Sequence, residues 1–358
     1  MLRINTYMNK FFNTLASIFV LSCITLYLAS CGGSSNTTTT AKPGSWDKVA
    51  DFSGSKRSGA ASFVINGKAY VVGGFDALNT RVVDVYQYDP VKDTWAEQTK
   101  FPGIERSGAI GFAIGSKGYV GTGLAANNVY LKDFWEFDPA GNGGLGSWKQ
   151  ILDLPGTKGR NGAIAFSVAN RGYVGAGFNG SNELNDVYEY VPGSNTWVVR
   201  AGLSGKRVNG AAFTIDNFAY VVFGTNNQQP TRTVEQYDPV NDVWTQKQQL
   251  TKKDKNGNTI AQPDPRDFAS TFTIGSLGFI SSGSFNLTPL SDTWGYDPAT
   301  DTWTQYYSYT SPTVIRGSAR DAAVGFGIGN VGYITTGRSG GVRFDDTWKF
   351  DPAGANNN

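Results

Sequence analysis

Six arginines recur along the chain at Arg57, Arg106, Arg160, Arg207, Arg266 and Arg320, and five aspartates follow in step at Asp84, Asp133, Asp186, Asp292 and Asp346. A guanidinium keeps its charge at any working pH and matches a carboxylate two bonds at a time. A set repeated this regularly has two uses: a ring of internal Arg–Asp pairs locking unit to unit, or a ring of donors offered to an acidic ligand. Repetition in every unit favours the architectural use, because ligand sites on repetitive scaffolds come from what differs between units. The fourth unit carries Thr233 where its aspartate is due, so Arg207 is expected to hold spare donors.

Other chemistry is narrowly bounded. The 358 residues include no His. That excludes a His general base, a Ser-His-Asp or Cys-His nucleophile, a zinc site of the H-E-x-x-H kind, and His-ligated copper or iron. No catalytic residue, metal or cofactor is expected. Charged residues make up 17% of the chain and Gly contributes 45 positions, a balance that suits many short strands joined by tight turns.

The first 30 residues read as an address. Arg3 and Lys10 precede a mostly apolar stretch from Phe11 to Ala29, and no acid occurs before Asp47. This is the pattern of a secretory signal. The segment Leu28-Ala29-Ser30-Cys31, followed by Gly32-Gly33, resembles the lipobox of bacterial lipoproteins. The resemblance implies cleavage before Cys31, lipidation of that residue, and membrane attachment in the cell envelope, periplasmic or at the cell surface. Removal of the leader leaves 29 cationic against 29 acidic residues, so nucleic-acid binding has no electrostatic support. It also takes away Cys23 and commits Cys31 to lipid, leaving no disulfide. Residues 31–44, with Ser, Asn and four consecutive Thr, form a flexible tether. Residues 45–358 are the folded domain.

That domain is one unit repeated six times. The segments Tyr88-Asp89-Pro90, Phe137-Asp138-Pro139, Tyr190-Val191-Pro192, Tyr237-Asp238-Pro239, Tyr296-Asp297-Pro298 and Phe350-Asp351-Pro352 recur about every 50 residues. Trp95, Trp148, Trp197, Trp244 and Trp303 keep phase with them, as do the six arginines. Each unit reads as four strands. In the first, a small-residue strand begins at Arg57 and ends at Ile65, Asn66-Gly67 turns the chain, and Ala69–Val72 runs to Gly73-Gly74. A longer loop leads to the alternating strand Asp84–Tyr88, and Trp95 opens the fourth.

These marks resemble the Kelch repeat: a small-residue strand, an apolar strand ending in Gly-Gly, a Tyr-Asp-Pro segment and a Trp shortly after. Only the first unit keeps both glycines; the others read Thr122-Gly123, Ala176-Gly177, Phe223-Gly224, Ser282-Gly283 and Thr336-Gly337. The resemblance implies an all-β, six-bladed propeller with four antiparallel strands per blade. After Phe350-Asp351-Pro352 the sixth unit has no Trp and no fourth strand, while Gly44-Ser45-Trp46 repeats Gly146-Ser147-Trp148. The stretch from Trp46 to Asp51 is therefore expected to close the last blade, with Trp46 beside Trp348 and Phe350.

Strand polarity puts the longer, more varied connections on one face, where binding usually sits. This loop face includes the six arginines near the channel mouth, the start of each third strand, and the long connection from Gln249 to Pro265. In Kelch adaptor domains the Arg of an Arg-Ser-Gly at this position contacts acidic peptides, and Arg57-Ser58-Gly59 and Arg106-Ser107-Gly108 match that motif. Kelch propellers also include copper oxidases of the galactose oxidase type, whose site needs His and a Cys cross-linked to Tyr; this chain lacks His, so that activity is excluded. The expected function is binding of a protein or glycan through the loop face. The alternative is a sugar mutarotase resembling the periplasmic sialic-acid mutarotases, with Glu105-Arg106 and Glu183 as its candidate groups. A third set of residues, Phe75, Phe178 and Phe285, offers aromatic surface to a carbohydrate.

Overall fold

A computed structural model describes residues 44–309 and 317–354. The signal segment, Cys31 and the tether before Gly44 lie outside the described residues. The described chain forms six four-stranded antiparallel sheets. Each inner strand touches its counterparts on both neighbouring sheets, the sixth next to the first, so the blades close a ring.

Blade one is built from Ala61–Ile65, Lys68–Val72, Val85–Asp89 and Thr94–Glu97, counted from the axis outward. The inner strand alternates buried and half-buried residues, as a strand packed on both faces by neighbouring blades must. Blade six takes Val324–Ile328, Val331–Thr335 and Thr347–Asp351 from the chain end and Ser45–Val49 from its start. The register sets Trp46 opposite Phe350. Their rings lie 4.9 Å apart, and Trp46 shares a buried cluster with Trp348.

One sequence expectation is corrected. The inner strand does not begin at Arg57. Arg57–Ser58 pairs instead with Phe75–Asp76 in a separate two-residue ladder, and Gly59 turns away with φ +63° before Ala61 resumes the blade. The reason is visible around the whole axis. The amide N–H of Gly59 donates to Ala322 O, Gly108 to Gly59, Gly162 to Gly108, Asn209 to Gly162, Phe268 to Asn209 and Ala322 to Phe268. Six residues from six repeats thus form a closed circle of hydrogen bonds, each with φ between +49° and +64°. Left-handed backbone turns each N–H along the circle rather than along its own strand.

Aromatic contacts join the blades farther out. The inner-strand Phe stacks on the second-strand ring of its own blade, as Phe63 does on Tyr70 at 5.1 Å. The second-strand ring then meets the third strand of the next blade: Tyr70 with Phe137, Tyr119 with Tyr190, Tyr173 with Tyr237, Tyr220 with Tyr296, Phe279 with Phe350, and Tyr333 with Tyr88. Tryptophans of the outer strands donate back to the preceding blade: Trp95 to Ala50 O, Trp148 to Thr99 O, Trp197 to Leu152 O and Trp244 to Ala201 O.

Candidate functional site

The six repeated arginines do not face the channel. Each is buried. In five repeats the guanidinium forms a two-bond pair with the aspartate of its own repeat: Arg57 with Asp84, Arg106 with Asp133, Arg160 with Asp186, Arg266 with Asp292 and Arg320 with Asp346. Nη1 of every arginine also donates to the carbonyl sixteen residues on, from Gly73, Thr122, Ala176, Phe223, Ser282 and Thr336. That carbonyl belongs to the left-handed residue ending the second strand, where φ is +56° to +64°. The arginine therefore ties the end of strand two to the start of strand three.

The side-chain pairs lie within repeats, not between blades as the sequence suggested. The link between blades runs through the backbone. Gly74 N–H donates to Arg106 O, Gly123 to Arg160, Gly177 to Arg207, Gly224 to Arg266, Gly283 to Arg320, and Gly337 to Arg57. This also explains which glycine of the Gly-Gly pair can vary. The first position admits Thr, Ala, Phe or Ser at φ near +60°, whereas the second sits at +84° to +108° against the backbone of the neighbouring turn.

Arg207 departs from expectation. Its Nη2 donates to Thr233 Oγ1 at 2.9 Å and to the Glu235 carboxylate. Glu235, two residues further along, replaces the missing aspartate by reaching back along the same strand. Its other oxygen accepts from Ser204 N–H at 2.9 Å. Of the three Arg207 nitrogens only Nε lacks an acceptor among the described residues, as does Nε of Arg160. Burial pushes the Arg207 pKa below its ordinary value, opposed by the Glu235 charge. For Asp133, Asp292 and Asp346, burial alone would raise the carboxyl. The charge and hydrogen bonds of the facing arginines win, and all three are held below the usual carboxylate range.

What lies at the axis is a cavity of about 380 Å³ on the loop face, lined by the residues that follow each arginine. Ser58, Ser107, Asn161 and Asn209 give it hydrogen-bonding groups. Phe75, Phe268, Arg81 and Arg338 make one side aromatic and cationic. Arg81 and Arg338 escaped the sequence reading because they belong to no repeated motif. The signal for them was the reverse of a motif: cations at loop positions where the other repeats have none.

The remaining candidates are dispersed. Glu105 is exposed and lies outside the cavity lining. Glu183 accepts a hydrogen bond from Asn227 N–H at 2.7 Å and so braces the next blade's loop. Phe178 packs edge-on against Tyr130 at 5.7 Å, and Phe285 is half-buried away from the lining. The long connection from Gln249 to Pro265 folds on itself through the Lys252–Asp264 ion pair at 2.7 Å. Among the described residues, no group of three or more Cys, Asp or Glu side chains is placed to hold a metal ion.

Six blades of four antiparallel strands, closed by both ends of the described chain, define a β-propeller. The Kelch motif matches residues 56–102 and 206–251, which are blades one and four with their leading segments, and the chain is a Kelch-repeat propeller. Local similarity also extends to two curated proteins. One is N-acetylneuraminate epimerase of Pasteurella multocida, 40% identical over 57 residues. The other is N-acetylneuraminate epimerase of Yersinia enterocolitica, 45% identical over 56 residues. These matches span 15% of this chain and of the first relative, and 14% of this chain and of the second.

Proposed function

We propose that this chain is a lipid-anchored propeller of the bacterial cell envelope that binds a protein or carbohydrate ligand through its loop face. The observation that carries the reading is the axial cavity. Its wall is cationic and aromatic on one side and neutral on the others, although the scaffold beneath it is six-fold. A surface serving only to close the ring has no need of that asymmetry. The Leu28–Cys31 lipobox pattern supports anchoring, with the membrane as the second partner. The near-neutral mature charge gives no support to nucleic acid as a ligand.

The second reading is a sugar epimerase or mutarotase, supported by the short similarity to the two N-acetylneuraminate epimerases. Neither Glu105 nor Glu183 lies in the cavity lining, so binding is the better-supported function. A glycan and peptide array probed with the full chain in detergent, beside an NMR anomer-exchange assay, tests both. Binding without exchange supports the module. Accelerated exchange supports the epimerase, and silence in both assays overturns the loop-face reading.

A further inference from the structure

The loops of blades one and six meet at the ring's closing seam and carry three arginines, two of them over the Phe75 ring and the third, Arg338, over Phe268. The guanidinium carbon of Arg81 is 5.2 Å from the centre of the Phe75 ring, and that of Arg343 is 4.6 Å from it. Arg338 stands directly opposite Arg343 in the short loop-face hairpin of blade six. Like charges facing each other across a strand pair are destabilising. In the corresponding pairs of the other loops, no second cation is opposed to a first: Leu124 faces Tyr130, Phe178 faces Glu183, Thr225 faces Pro230, and Ser284 faces Pro289.

One carboxylate pairs directly with this cluster, while Asp76 and Asp267 act on it only through space. Arg338 pairs with Asp321 at 2.7 Å. Among the described residues, Arg81 and Arg343 form no ion pair with a carboxylate, and Nε of each is buried without an acceptor. Arg343 is 9% exposed, and its hydrogen bond to Asn79 Oδ1 is long, at 3.3 Å. A buried guanidinium without a directly paired counter-charge is costly to maintain. Burial pushes the Arg343 pKa below its ordinary value and the charge of Arg338 pushes it further, against the opposing charge of Asp76.

We propose that this seam is an oxyanion site, in which Arg81 and Arg338 hold the carboxylate or phosphate of a small ligand seated in the axial cavity and Arg343 adds its charge. The proposal rests on the loop-face reading and adds the ligand's charge class. Arg81 and Arg338 line the cavity, so their donors reach a ligand there. Arg343 stacks on Phe75 outside the lining and supplies field rather than contact. Planar guanidinium forks suit both carboxylate and phosphate oxygens. The neutral Ser and Asn groups opposite are suited to the uncharged remainder of the molecule.

The test is calorimetric titration of the full chain in detergent with sodium glucuronate, glucose 6-phosphate and glucose. At least one anion is expected to bind, more weakly as salt rises, while glucose does not. Glucuronate alone identifies a carboxylate ligand, and glucose 6-phosphate alone a phosphate ester. Arg81→Gln, at a half-exposed side chain, is expected to weaken anion binding roughly 10- to 100-fold without lowering the melting temperature. Arg171→Gln, on the opposite face, is expected to leave the affinity unchanged. Inert anions, equal binding of glucose, unaltered affinity in Arg81→Gln, or equal loss in Arg171→Gln would each overturn the site. A neutral glycan captured on the array while both anions stay inert overturns the oxyanion site and leaves loop-face binding standing.

Discussion

Arg207 and Glu235 form an ion pair in which each side chain is 1% exposed, whereas the aspartates of the other five repeats are 19–31% exposed. Burial changes what the pair is worth. Breaking a fully buried pair leaves a charge that water cannot reach, at a cost of about 3–5 kcal/mol. Breaking one whose carboxylate is partly exposed lets water reach the arginine left behind and costs about 1–3 kcal/mol. Glu235→Ala is therefore expected to lower stability more than Asp186→Ala, measured as the free energy of unfolding in urea. This ordering is opposite to the one implied by a blade lacking its carboxylate. Equal and negligible losses would show that the pairs do not hold the ring.

The paired aspartates also set the acid limit. Asp133, Asp292 and Asp346 titrate below the usual range in the folded state. The unfolded chain takes up their protons first, at about pH 3.9, so the stability they contribute is complete above that value. It is lost as pH falls through the folded values. The urea midpoint is expected to be insensitive to these groups from pH 8 to 5 and to decline below about pH 4. Asp346→Asn is expected to flatten that decline at the expense of stability at neutral pH. An unchanged acid slope in the variant would remove Asp346 from the account.

The two positions of the Gly-Gly pair should respond in opposite directions. At Gly224, φ is +84° and an added Cβ would lie 2.6 Å from the Val208 carbonyl oxygen. Gly224→Ala is expected to cost about 2–4 kcal/mol. Thr336, at the first position of its pair, is β-branched at φ +63°, and its buried hydroxyl has no partner among the described residues. Thr336→Ala is expected to hold or raise the melting temperature, since Ala176 already occupies the corresponding position in blade three.

Ring closure depends on a strand drawn from the far end of the chain. Trp46 is 2% exposed, and its indole N–H donates to Tyr307 O at 3.1 Å. Trp46→Ala is expected to cost about 3–5 kcal/mol. Deletion of residues 45–52 removes the outer strand of blade six and exposes the edge of Thr347–Asp351. Light scattering should then show association through that edge. A monomeric, cooperatively folding deletion would show that the ring closes without it.

The proposed anchor has its own test. Cys31→Ser is expected to abolish metabolic labelling with fatty acid and to shift the protein out of the membrane fraction. Continued membrane retention as an uncleaved precursor would instead indicate a spanning leader.

Repetition is what made the fold legible. The arginines, the Asp-Pro segments and the tryptophans mark the same place in every blade because each blade must solve the same local problem. A polar strand end has to be tied down, a turn has to be closed, and a ring has to be offered to the neighbour. Such solutions recur at near-regular spacing, so the same pattern shows in unit after unit of one chain. The sharing of blade six was legible for the same reason, since Trp46 repeats Trp148 in its local sequence.

Three-dimensional proximity decided the rest. Glu235 replaces the missing aspartate only because a residue two positions along the same strand points to the same face, bringing its longer side chain within reach of Arg207. The circle through Gly59, Gly108, Gly162, Asn209, Phe268 and Ala322 exists only once six blades surround an axis, and spacing along the chain does not encode it. Arg81 and Arg343 are 262 residues apart and come together over Phe75 solely because the ring closes between blades six and one. Periodicity therefore determined the scaffold, because scaffold contacts repeat. The charge at the axial mouth was decided by tertiary structure, because it arises where the repeats differ and where distant loops converge.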